Sequence, residues 1–119
     1  MTDEVLNPVQ IEAAIRKCAN RIAEGVKVCS ETYAAFLDCD RSYDRAYAQA
    51  YLAHDGAAHE KKFAAEIETS EARAVRDAAD VAYRYADRTA KAVESELRAL
   101  QSLGASVRQA YAVAGRGEA

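Results

Sequence analysis

Tryptophan is absent from this chain of 119 residues, proline occurs once, at Pro8, and glycine only five times. Without proline beyond Pro8, nothing forces a break in the long Ala-rich stretches that follow. Alanine makes up about a quarter of the residues, so large apolar side chains are few although half the chain counts as hydrophobic. One domain is expected for this length. Its core must be thin, and such a chain gains more from long seams between helices than from a globular interior. No apolar run approaches the roughly 18 residues of a membrane span, and the acidic opening Met1-Thr2-Asp3-Glu4 lacks the basic region of a signal peptide. The three cysteines, Cys18, Cys29 and Cys39, are odd in number and without CxxC spacing, as suits a reducing compartment. These absences point to a cytoplasmic protein with no membrane role. Charge of one sign is missing too. Lys and Arg number 16 against 19 Asp and Glu, for a net charge of -3, which argues against a surface wholly given to gripping DNA or anionic lipid.

What is present is helical periodicity. Asn7 is a good N-cap, Pro8 suits the first helical position, and Gln10 completes a capping box. Leu6 and Ile11 occupy the two positions of a hydrophobic staple. Apolar or small residues then recur at three- and four-residue steps: Ile11, Ile15, Cys18, Ile22, Gly25 or Val26, Cys29, Thr32 or Tyr33, Phe36, Cys39, Tyr43, Ala46 or Tyr47, and Ala50. That heptad seam predicts helix 1 over about residues 8–53, roughly 70 Å of helix. Asp55-Gly56 is the turn signal, with Gly56 supplying the positive φ of a helix C-cap. Beyond it, helix 2 is predicted over about residues 58–113, with a kink at Gly104 left open and Gly115-Arg116-Gly117 as its end. Its pattern follows an eleven-residue spacing, Phe63, Ala74 and Tyr85 together with Ile67, Ala78, Thr89 and Leu100, with Val81 or Ala82, Val93 and Leu97 between them. This spacing favours straight or slightly right-handed packing. Asp80–Arg84, Asp87–Lys91 and Glu94–Arg98 are acid-before-base pairs that mark a solvent face. The expected fold is therefore all-α, a single long antiparallel helical hairpin of coiled-coil type, with frayed ends at 1–6 and 115–119. The segment from Gly104 to Ala114 either projects past its partner helix or bends back.

Chemistry-bearing constellations are scarce. The cysteines are ten or eleven residues apart on one helix, too far for a disulfide or a shared metal, and read as small core side chains. His54 and His59 flank the turn without converging, and Asp38, Asp40 and Asp44 beside Arg41 and Arg45 read as surface ion pairs. No nucleophile-base pairing, phosphate loop or nucleotide motif is found. The expectation is a non-enzymatic protein with no catalytic residues, metal or cofactor. The seven tyrosines say more. Tyr43, Tyr47 and Tyr51 form a ladder at four-residue steps. Tyr83 and Tyr85 lie among Arg84, Arg88 and Lys91, an aromatic-basic mixture suited to weak contact with single-stranded DNA. Packing in the seam with hydroxyls at the rim is the other reading of these rings. Tyr43, Tyr47, Tyr51, Leu103, Val107, Arg108 and Tyr111 are the candidate partner or oligomer interface.

Two stretches carry a resemblance. Tyr43-Asp44-Arg45-Ala46-Tyr47-Ala48-Gln49-Ala50-Tyr51-Leu52-Ala53-His54-Asp55-Gly56, followed by Glu60-Lys61-Lys62, is one, and Leu97-Arg98-Ala99-Leu100-Gln101-Ser102-Leu103-Gly104-Ala105-Ser106-Val107-Arg108-Gln109-Ala110-Tyr111 is the other. Together they resemble small, uncharacterised helical proteins of tailed phages and prophages, over roughly the last two-thirds of the chain. Lys61-Lys62 stands where that family has an Arg-Lys pair, Gln101 where its ending has Arg, and Gln109-Ala110 where an acid is common. The matching positions are Tyr43, Tyr47, Tyr51, Gly56, Lys61, Ser102, Arg108 and Tyr111. Such proteins are often encoded near annealing recombinases and single-strand binding proteins. The resemblance implies an accessory of phage DNA recombination or replication in the bacterial cytoplasm, with an annealing recombinase or single-strand binding protein as the candidate partner. A homo-oligomer is expected on other grounds, from the apolar face that projects past Gly104. A structural or assembly coiled coil of the phage, or a small inhibitor of a host protein, are the alternatives.

Overall fold

The computed structural model describes residues 7–117, with side chains through residue 115. All regular structure among them is helical: α1 Pro8–Ala53, α2 Ala58–Glu68 and α3 Ser70–Gly117. The expected staple residue Leu6, the lead 1–6 and the last two residues lie outside the described residues. By contacts the chain divides into two compact units, Met1–Val26 with Arg88–Ala119, and Lys27–Asp87.

The first unit starts with the cap legible in the sequence. Gln10 N donates to Asn7 Oδ1 at 2.9 Å and Asn7 N donates to Gln10 Oε1 at 3.0 Å, so two otherwise orphaned donors are satisfied reciprocally. Ile11, Cys18 and Val93 are buried here, with Ile15, Ile22, Gly25, Ala90, Leu97, Leu100 and Val107 half-buried. The two helix segments run antiparallel. Arg21 pairs with Glu96 at 3.0 Å, a methyl built on Gly25 meets Ala90, and one on Gly104 meets Ile11. Gly104 is buried within a continuous α3, and it is the close approach of Ile11 that asks for a residue without a side chain there. Leu103, beside Gly104, is 42% exposed. α3 continues past the expected end at about residue 113 and is helical to Gly117, the last described residue.

The second unit contains the reversal. α1 ends at Ala53, and Gly56 has φ +149°. The positive φ expected of this glycine is present, but far from the +57° of the left-handed helical region. It turns the 54–57 connection, three residues beyond the helix end, and does not form a C-cap of the left-handed type. The two sides then run antiparallel, as shown by Tyr33 against Tyr83, Asp40 against Arg76 and Tyr51 against Lys61.

A single helix over 58–113 is corrected by the interruption at Thr69 (φ -101°, ψ 13°). The buried Thr69 hydroxyl donates to Ala65 O at 2.6 Å and shares that carbonyl with its own backbone N–H at 3.0 Å, and back-bonding of this kind bends helices. A β-branched residue also has a lower helix propensity.

The eleven-residue seam is corrected as well. Residues 65, 69, 72, 76, 79, 83 and 86 turn inward, at alternating four- and three-residue steps. They are Ala65, Thr69, Ala72, Arg76, Ala79, Tyr83 and Ala86, mostly small side chains. The α1 side holds a strict heptad, Cys29, Thr32, Phe36, Cys39, Tyr43, Ala46 and Ala50, all buried or half-buried. Both faces of α3 here repeat at four- and three-residue steps, and the one packed on the α1 seam is the one whose mostly small side chains let the helices approach closely. Phe63, Ile67, Ala74, Ala78, Val81, Ala82, Tyr85 and Thr89, expected inside, are exposed.

Candidate interaction surfaces

The sequence placed Tyr83, Arg84, Tyr85, Arg88 and Lys91 together as a nucleic-acid surface. Tyr83 and Tyr85 are two residues apart, hence roughly 200° apart around a helix. Tyr83 is half-buried with its ring 5.0 Å from that of Tyr33, a tilted aromatic pair, so its face is taken for packing. Tyr85 is exposed. Arg84 Nε donates to Asp80 Oδ1 at 3.0 Å, the i,i+4 pair legible in the sequence. Arg88 and Lys91 are exposed on the same helix. The five do not make one stacking platform.

The tyrosine ladder forms as spaced, with ring centroids 6.2 Å apart for Tyr43 and Tyr47 and 6.4 Å for Tyr47 and Tyr51. Its own chain covers it. The Arg76 guanidinium lies 5.3 Å from the Tyr43 ring centre, and Lys61 Nζ lies 5.7 Å from that of Tyr51. Arg76 Nε also sits 3.2 Å from Asp40 Oδ1, as an ion pair off the hydrogen-bonding line. The Tyr47 hydroxyl titrates above its ordinary value, first because it is desolvated, then because Glu66 and the neighbouring Tyr43 and Tyr51 disfavour a further anion. The ladder is thus an intramolecular clasp between α1 and the α2–α3 side. The other candidate interface residues, Leu103, Arg108 and Tyr111, are exposed on α3 with Val107 half-buried. Pro8, Val9, Ile11, Glu12 and Ile15 line a groove of about 210 Å³ with Gly104 and Arg108.

The surface that sequence reasoning missed lies on the outside of the second unit. Phe63 is 58% exposed, Ile67 76%, Val75 56%, Val81 66% and Tyr85 73%. Ala74, Ala78 and Ala82 lie exposed among them. Phe63, Ile67, Ala74, Ala78, Val81 and Tyr85 sit two residues from inward positions and so on the opposite face, with Val75 and Ala82 beside them. The eleven-residue spacing points to Phe63, Ile67, Ala74, Ala78, Val81 or Ala82 and Tyr85 as the inner face, and it leaves Val75 out.

The three cysteines are free thiols, Cys18 buried and Cys29 and Cys39 half-buried, and all three fall on the α1 seam. Among the described residues no three His, Cys, Asp or Glu side chains gather as metal ligands, and no helix is long and apolar enough to cross a membrane. No protein-family model, curated protein or solved structure matches the chain.

Proposed function

We propose that the protein is a non-catalytic coiled-coil hairpin that self-associates and acts as an adaptor in phage DNA recombination or replication, in the cytoplasm of the bacterial host. One observation carries the adaptor reading. The α2–α3 side of the second unit's seam is mostly small residues, whereas Phe63, Ile67, Val75, Val81 and Tyr85 face outward. A helix that exposes this many large apolar residues on the face away from its seam offers a second surface. The antiparallel pairing within each unit supports the hairpin, and the phage-like motifs around Tyr43–Gly56 and Leu97–Tyr111 support the setting. The partner in this reading is an annealing recombinase or a single-strand binding protein. Direct contact with single-stranded DNA is secondary, through Arg84, Tyr85, Arg88 and Lys91 without Tyr83.

The test is sedimentation of the purified protein mixed with each phage protein, with and without a labelled single-stranded oligonucleotide. A complex with either protein supports the adaptor reading. Oligonucleotide binding that falls steeply with salt supports direct contact, and none at any salt removes it. Failure to bind either protein, together with recovery in purified virions, would transfer the protein to the assembly class. Helices of 46 and 48 residues would also suit such a scaffold.

A further inference from the structure

The outward face of α3 in the second unit has its own heptad logic. Ala74, Ala78, Val81 and Tyr85 follow four-, three- and four-residue steps, as the core positions of a coiled coil do. Val75 and Ala82 flank this stripe on one side, and Asp77 and Arg84 flank it on the other. Val75, Val81 and Tyr85 are each more than half exposed, so the stripe is a second seam with no partner within its unit.

We propose that the partner is a second copy of the same segment, packed antiparallel about a two-fold axis between residues 79 and 80. In that register Ala74 faces Tyr85 and Ala78 faces Val81, small against large in every layer. Asp77 of each copy falls beside Arg84 of the other, giving two opposite-charge pairs on one flank. Val75 meets Ala82 on the other flank and widens the apolar strip. A parallel, in-register pair would set Tyr85 on Tyr85 and Ala74 on Ala74, crowding one layer and emptying the next, and would leave Asp77 beside Ala82. Sliding the antiparallel pair by one heptad puts Glu71 against Val81 in one direction and Val81 against Tyr85 in the other. Size and charge complementarity therefore select one arrangement, and its interface is isologous as a two-fold requires. Arg84, now paired with Asp80 on its own exposed surface, is free to add Asp77 of the second copy, because a guanidinium has donors for both.

This inference deepens the self-association proposed above and rests on it, and a charge swap separates the two. Sedimentation velocity over a concentration series, in reducing buffer so that the free thiols play no part, should show a dimer. D77R alone and R84D alone each place like charges side by side twice, and each should weaken the dimer roughly tenfold. The double variant D77R/R84D should return to within about threefold of the parent. V81K should weaken dimerisation roughly a hundredfold or more, with the helical circular dichroism of all variants unchanged because these sites are exposed. A dimer that tolerates V81K, or a double swap no better than the singles, overturns this register and leaves the adaptor reading standing. A parent that stays monomeric at the highest concentration overturns the register and the self-association together.

Discussion

Replacing Gly25 by alanine should stabilise the protein. Gly25 lies inside α1, where glycine loses the most backbone freedom on folding and costs about 0.8–1.0 kcal/mol relative to alanine. A methyl group there would sit 3.5 Å from Ala90 Cβ, an ordinary van der Waals contact. Nothing has to move, and the half-buried methyl adds at most a few tenths of a kcal/mol. The net gain is about 1 kcal/mol, which for a chain of this size raises the thermal midpoint by roughly 3–6 °C. Gly104 provides the control. A methyl there would lie 3.2 Å from Ile11 Cγ2, closer than side chains comfortably pack. The same propensity gain is then opposed by overpacking of about 1–3 kcal/mol, so Gly104→Ala should be neutral or destabilising. Urea unfolding followed by circular dichroism, at fixed protein concentration, gives both changes. If Gly25→Ala lowered the midpoint, or both substitutions raised it equally, the antiparallel register of the first unit would be wrong.

The other expectations follow from the seam and its clasp. Ala65 is fully buried, so Ala65→Leu should cost about 1–3 kcal/mol, whereas Phe63→Ala, although it removes a far larger side chain, should cost under about 0.5 kcal/mol in the dilute monomer; chemical denaturation at low concentration compares them. Arg76→Ala removes the stem that covers Tyr43 and the ion pair to Asp40, and should cost roughly 1 kcal/mol by the same assay, with Arg76→Lys recovering only part of it. Because the Tyr47 hydroxyl titrates above its ordinary value in the folded state, its contribution to stability is complete below about pH 10 and is lost as the pH rises through the folded pKa. Near-ultraviolet titration of the parent against Tyr47→Phe should show the missing tyrosinate as the late one, and a loss from the early part of the curve would contradict the desolvation argument.

Much of the architecture could be read directly from residue order. Asn7, Pro8 and Gln10 announce where α1 begins, and the unbroken steps from Ile11 to Ala50 carry it to Ala53. The reversal around Gly56 and the restart at Ala58 were equally plain, since no other turn dipeptide lies nearby. Thr69 was less visible. A threonine in a helical run becomes a discontinuity only when its hydroxyl finds the Ala65 carbonyl and is shut away from water. The proposed DNA surface failed at Tyr83 for a related reason, because a ring beside arginines in the sequence can still turn inward to meet Tyr33.

Local chemistry therefore settles where α1 begins and ends, where the chain reverses, and which face of α1 is buried. It does not settle which face of α2 and α3 meets that stripe. In a segment so rich in alanine, two opposite faces are both eligible, one lined with small residues and one with large. The face packed against α1 is the one whose small side chains, Ala65, Ala79 and Ala86 among them, leave room for the two helices to approach closely. Ile67, Val81 and Tyr85 were left facing outward by that choice of register, made between elements far apart in the chain.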